Sequence, residues 1–223
     1  PNTTHNPSNV PASLDPFTGE VTFTSHTVGS FSVPIKVEAW RCGTLIAEVF
    51  REIIVTVIPS PPGNNPPVVI PPFSSGTSFN DTVYAGQTVI FNLASIDNEF
   101  LHDGTTVQSN TLQPSGGQFG NAFIDPLTGC PNPPCATLSD PIPLTGLGGI
   151  FTTFTWPTTC DHLINPATGC ADDTYTHTFT FRVSDDYCDI PGISMPTVSI
   201  TVLTPPALDA PELKCAAVNG AGD

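Results

Sequence analysis

The residues of this chain that could do chemistry are mostly carboxylates, amides and thiols. Asp97, Asn98, Glu99 and Asp103 form one acidic group, and Asp185, Asp186 and Asp189 form a second. Such oxygens suit Ca²⁺, which takes roughly six to eight of them. Neither group has the DxDxDG spacing of a self-contained calcium loop, so a site would have to be assembled from separate loops. The competing reading is a pair of solvated acidic loops held by local Asx turns. Cys130 and Cys135 flank Pro-Asn-Pro-Pro and could close a small loop. Cys160 and Cys170 share a later loop and could pin it, with a Cys160–Cys188 bridge as the competitor. In simple strand order Cys160 and Cys188 fall at opposite ends of a domain, beyond the ~7 Å Cα reach of a disulfide. Cysteines number seven, an odd count, so at least one has no partner within the chain.

Catalytic patterns are missing. There is no HExxH, no GxSxG elbow and no phosphate-binding glycine loop; Gly146-Leu-Gly-Gly149 is too short and leads into a strand pattern. His162 follows Cys160-Asp161, but no second histidine stands at ligand spacing and no CxxC pair exists, which argues against zinc. A Ser-His-Asp set or a carboxylate pair assembled in space needs a base beside its partner group. Loops that are mostly Asp, Pro and Thr offer none, so the expectation is a protein that is not an enzyme.

The charge balance narrows the partners. Twenty acidic and five basic side chains give a net charge of −15. Five cations cannot neutralise a useful stretch of phosphates, which excludes nucleic acid and disfavours an anionic membrane surface. No apolar run approaches the ~20 residues of a membrane helix. The longest, Ile53–Ile58, is interrupted by Thr56 and stopped by Pro59, so membrane insertion is not expected. Residues 1–11 are polar and do not read as a signal peptide; the expectation is a fragment of a longer exported protein. Seven Cys beside one Met suit an oxidising, extracellular setting.

The elements that would position these groups are strands. With 26 Pro and 18 Gly, long helices have little room, while period-two alternation is frequent. In 175–183, Tyr175, His177, Phe179, Phe181 and Val183 share one face and Thr176, Thr178, Thr180 and Arg182 the other. Residues 30–39 alternate in the same way, and further strands read at 20–24, 53–57, 88–93, 150–156 and 197–203. Short strands punctuated by Pro/Gly turns predict an all-β fold of antiparallel β-sandwiches. Trp40, Trp156 and the phenylalanines are expected in the core.

An internal repeat divides the chain. Gly19-Glu-Val-Thr-Phe-Thr24 is similar to Gly149-Ile-Phe-Thr-Thr-Phe-Thr155, Val37–Cys42 to Val183–Cys188, and Ile54–Pro59 to Ser199–Pro205. The boundaries read as 1–58, the C-terminal part of a first sandwich; 59–65, a Pro-rich linker; 66–205, a complete sandwich with long inserts; and 206–223, the start of a third. Three or four strands cannot bury both faces of a sandwich, so residues 1–58 need strands from preceding chain or from a neighbouring molecule. Pro-rich joints are stiff, at ~3.1 Å per residue, and make a semi-rigid rod. In an Ig-like topology the two acidic loops share one end of the domain, where the linker brings Asn64 and Asn65. Asn64, Asn65, Asp97, Asn98, Asp103, Asp185, Asp186 and Asp189 are therefore the candidate calcium ligands.

Residues 14–24, Leu-Asp-Pro-Phe-Thr-Gly-Glu-Val-Thr-Phe-Thr, resemble the DPxTG turn and strand of bacterial cadherin-like and Ig-like repeats. Asp81-Thr-Val-Tyr-Ala-Gly-Gln-Thr-Val-Ile-Phe91 is similar to their second strand. Phe154-Thr-Trp-Pro-Thr-Thr-Cys160 and Ser184-Asp-Asp-Tyr-Cys188 resemble the giant gliding-motility-associated surface proteins of the Bacteroidetes. The resemblance implies a tandem, cell-surface adhesin or filament segment acting as a spacer, with neighbouring repeats or other copies as partners, and calcium stiffening its joints. It names no ligand. The alternative is a glycan- or protein-binding module that uses the inserts 115–145 and 160–173; an accessory domain spacing an enzyme is a third reading. Asn2 and Asn80 stand in N-glycosylation sequons, and Asp81-Thr82-Val83 resembles the O-glycosylation motif of the same family, with Thr82 as acceptor.

Overall fold

The computed structural model describes residues 6–15, 19, 21–59, 64–164, 172–188 and 190–206. The fold is all-β. Its helical content among the described residues is two short 3₁₀ turns, Asn121–Phe123 and Cys160–Leu163. From residue 64 onward the strands form a sandwich. One sheet holds β5 (Val68–Ile70), β7 (Thr88–Ile96), β11 (Phe151–Pro157) and β9 (Thr137–Leu138), in that order. The other runs β10 (Leu144–Leu147), β8 (Ser109–Ser115), β12 (Thr174–Ser184), β14 (Thr197–Leu203) and β6 (Asn80–Tyr84), with β13 (Ile193–Ser194) beside β12. All of these pairings are antiparallel except β6 with β14, which is parallel and matches residues 80–84 to 199–203.

The alternation seen in the sequence decides which side chains meet. Val89, Phe91 and Leu93 of β7 and Phe154 and Trp156 of β11 point inward, towards Phe179, Phe181 and Val183 of β12 and Val198, Ile200 and Val202 of β14. The rings interlock: Phe91 stacks on Phe154 with centroids 4.5 Å apart, and Phe154 meets Phe179 edge-on at 4.9 Å. Such pairs contribute about 0.5–1.5 kcal/mol each beyond area burial. Gly149 makes the close approach of β11 to the end of β7; a Cβ there would stand 2.1 Å from the Ser95 carbonyl oxygen.

Residues 6–59 form two hairpins. β1 (Val10–Leu14) pairs with β2 (Val21–Thr24), and β3 (Gly29–Arg41) pairs along its length with β4 (Thr44–Val57). The turn of the long hairpin uses positive φ at Cys42 (44°) and Gly43 (81°). One of its faces carries Phe31, Val33, Ile35 and Val37 opposite Val55, Ile53, Arg51 and Val49. The other carries Lys36, whose Nζ meets Glu38 at 2.5 Å and Glu48 at 2.8 Å. No side chain of this hairpin is buried. Trp40, expected in the core, is 45% exposed and its Nε1 donates to Glu38 at 3.1 Å. It sits beside the β3 bulge at the hairpin's end.

Truncating the central ring tests this core. Phe154→Ala removes a fully buried side chain that touches Phe91, Phe119, Phe179 and Phe181. Denaturant unfolding should register a loss of about 3–5 kcal/mol.

Candidate functional site

The polar chemistry is gathered at the two ends of the sandwich. At the end where the chain enters, β7 runs into the loop before β8, and β12 into the loop before β13. Asp97 is buried and accepts from Asn110 Nδ2 at 2.9 Å and from the Glu99 N–H at 3.1 Å. Asp185 is buried too. Its Oδ1 takes the N–H groups of Tyr187 (3.0 Å) and Gly192 (2.9 Å), and its Oδ2 takes Asn64 Nδ2 at 3.2 Å. Asn64 Oδ1 in turn accepts from Gln108 Nε2 at 2.9 Å. Asn65 donates its backbone N–H to Glu99 Oε2 at 2.5 Å and its side-chain amide to Glu99 Oε1. Asp186 accepts the Ser109 N–H at 2.8 Å. Gly192 is required here, since a Cβ would fall 2.5 Å from Asp185 Oδ2 and 2.8 Å from Pro66 Cα.

The structure thus brings Asn64, Asn65 and Asp185 together, with Asp97 and Asp186 in the adjoining loops. Asp103 stands apart. It accepts from the Thr105 and Thr106 N–H groups and from the Thr106 hydroxyl, which pulls its pKa down to about 2. Asn98 is exposed, and Asp189 lies outside the described residues. The buried carboxylates here are already engaged by N–H donors. Among the described residues no group of three or more His, Cys, Asp or Glu side chains is placed to hold a metal ion.

At the other end, where β14 leaves the fold, the two inserts meet. Cys130 and Cys135 are bonded, with Cα atoms 5.7 Å apart. The small loop they close offers its carbonyls inward. Asn132 O faces His162 Nε2 at 2.7 Å and receives Gln118 Nε2, and Pro134 O receives Trp156 Nε1 at 3.2 Å. Asn132 Nδ2 reaches Ile164 O at 3.3 Å, which ties the first insert to the second. His162 is fully buried. Its Nδ1 accepts the Thr159 N–H at 2.8 Å, so its proton sits on Nε2. His177, also buried, lies edge-on to Trp156 and donates from Nε2 to the His162 carbonyl at 2.8 Å. Burial lowers both imidazoles, His177 to about 4.

Cys160, in the 3₁₀ turn at this end, and Cys188, in the loop at the entry end, are both exposed and not bonded to each other. Cys170 lies outside the described residues, as does Asn2. Asn80 and Thr82 are both exposed on β6, and the Thr82 N–H is bonded to Asp81 at 2.9 Å. Sequence reasoning missed Gln108, Asn110, Gln118, Gly192 and the role of His177. Asn110 carried a signal, for it takes an inward place beside Leu112 on β8. The others are loop residues, or an inward His that read as core.

No protein-family model matches the chain, and no curated protein matches it. Among solved structures it is similar to a family 123 glycoside hydrolase from Clostridium perfringens, a structure concerned with glycolipid glycan hydrolysis. Identity is 11% over 56% of this chain, the TM-score is 0.26, and the chain spans 22% of that enzyme's length. A likeness this slight carries no argument about fold or activity.

Two outcomes follow from the two ends. Asp185→Ala leaves three N–H donors unpartnered and should lower stability by about 2–4 kcal/mol, with faster amide exchange at Gly192. At the exit end, an unfolded histidine titrates near 6.5 while His177 in the fold titrates at about 4. The unfolded state therefore binds the extra proton first, and stability falls as pH drops from about 6.5 towards 4. His177 alone should account for a loss on the order of 3 kcal/mol at the bottom of that window. Melting curves from pH 8 to 4 measure it, and His177→Gln should flatten the slope.

Proposed function

We propose that this chain is a structural segment of an extracellular bacterial surface adhesin, a semi-rigid spacer of sandwiches in series that serves adhesion or gliding. The observation that carries this reading is how the sandwich is attached to its chain. The entering segment is clasped by buried hydrogen bonds from Asn64 to Asp185 and Gln108, and the Ser194 hydroxyl donates to the Pro67 carbonyl. Residues 64–67 are thereby fixed to the sandwich they enter. The chain leaves from β14 at the opposite end, and β6 runs parallel to it. A pull between the two ends drags β6 and β14 in opposite directions, so their ladder is loaded in shear, with all its bonds sharing the force.

The first hairpins support a series of like units. β1 pairs with β2 as β9 pairs with β11, and β3 pairs with β4 as β12 pairs with β14. Of these, β2, β3 and β4 carry the segments whose sequences correspond to β11, β12 and β14. The apolar face of the long hairpin, on which no side chain is fully buried among the described residues, is what a sandwich lacking its other strands presents. The Cys130–Cys135 bond supports an oxidising location outside the cell, and the net charge of −15 suits a surface that repels its own copies.

A second reading, a glycan- or protein-binding module, is favoured by the meeting of the two inserts through Asn132, His162 and Ile164 at one end. The spacer reading is tested by stretching single molecules of the full chain between handles at its termini. The sandwich should unfold in one discrete high-force step. Val83→Pro removes an N–H from the β6 edge facing β14, the edge on which Ala85 N–H bonds the Leu203 carbonyl at 2.9 Å. That variant should unfold at a markedly lower force. Smooth extension of the wild type at low force would rule the spacer out.

A further inference from the structure

A small cavity of about 130 Å³ lies at the exit end, between the first insert and β12. It exists because β8 stops short. The last pair between those strands is Ser115 with Thr180, so the part of β12 from Thr174 to Phe179 is faced on that side by insert backbone instead of a strand. Gly116 makes the approach, with a notional Cβ 3.0 Å from the Thr178 carbonyl. The insert lines the cavity with Gly117, Gln118 and Pro131. The strand lines it with Tyr175 and His177, flanked by Thr176 and Thr178.

We infer that this cavity is a subsite for one ring of a neutral sugar, at the end of a surface glycan. The inference rests on the binding-module reading and gives it a place and a ligand class. Four features argue for it. None of the lining side chains is charged, so a charged ligand would have no counter-ion. His177 uses its Nε2–H on the His162 carbonyl, which leaves the Nδ1 lone pair, bonded to no group among the described residues, to accept from a ligand hydroxyl. Burial keeps that imidazole neutral down to about pH 4. Thr178 adds a neutral hydroxyl beside the cavity, and Tyr175 adds an aromatic surface of the kind small-molecule sites use. The volume, about 130 Å³, equals roughly four waters at ~30 Å³ each, so it takes one edge of a ring and lies well below the scale of a drug-sized ligand.

The test uses the full chain on an array of neutral glycans, followed by amide chemical-shift titration with the best-bound oligosaccharide. Shifts should concentrate on Gly117, Gln118, Thr176 and Thr178. Gly117→Leu is the informative variant. A Cβ at Gly117 meets nothing within 4 Å and its φ is not left-handed, so a bulky side chain is placed on the cavity's lining without straining the fold. It should weaken binding at least tenfold while leaving the melting temperature unchanged. A glycan that binds wild type and Gly117→Leu equally overturns this subsite and leaves the binding-module reading standing. No neutral glycan bound by the wild type overturns this subsite and the glycan form of the binding-module reading together. Preferential capture of charged glycans, or of an extended peptide along the open edge of β12, overturns the ligand class.

Discussion

The contact between the two sheets through Phe91, Phe154, Phe179 and Phe181 is what the rest of the sandwich depends on. These rings come from β7, β11 and β12, and Phe119 adds a fifth from the first insert, 5.1 Å from Phe179. Rings meeting edge-to-face do not slide past one another without losing several contacts together. The sheets are therefore held at one separation and one register. With the interior filled in this way, no polar cleft can open through the middle, and the buried polar groups cluster towards the ends. Nearly all of them are hydrogen-bonded there; Gln108 Oε1 and Ser199 Oγ are the exceptions among the described residues.

The two ends solve the problem of buried polarity differently. At the entry end, carboxyl oxygens collect N–H groups from loops and from the incoming chain. At the exit end, backbone carbonyls of a disulfide-closed loop collect N–H groups from an indole, an amide and an imidazole. The first arrangement fixes the direction in which the chain arrives. The second fastens two long inserts to each other. In the spacer function proposed above, the first end would transmit and the second would present.

How much of this the sequence disclosed varies by element. β7, β11, β12 and β14 were legible, because apolar and polar residues alternate along them and Phe and Val mark one face. The acidic loops were placed at one end, beside Asn64 and Asn65, from strand order alone. β8 was not legible: Ser109-Asn-Thr-Leu-Gln-Pro-Ser115 has a single aliphatic residue, and only pairing with β12 and β10 makes it a strand. β4 begins nine residues earlier than the apolar run at Ile53 suggests, because Glu48, Arg51 and Glu52 mask an alternation that the partner strand completes. The buried amides of Gln108 and Gln118 leave no periodic trace, since they act through contacts distant in sequence. Trp40 shows the reverse limit. Its type predicts burial, yet it is 45% exposed at the hairpin's end.

The two tryptophans have a practical consequence. Trp156 is sealed beneath the disulfide-closed loop with its indole N–H bound to the Pro134 carbonyl, while Trp40 stands half in water at the tip of a hairpin. The molecule thus carries two native optical probes in contrasting surroundings. Light emitted from the sealed indole is blue-shifted and shielded from aqueous quenchers, and light from the other is red-shifted and open to them. A quenching titration separates the signals, so unfolding of the hairpins and opening of the sandwich can be followed independently without attaching a dye.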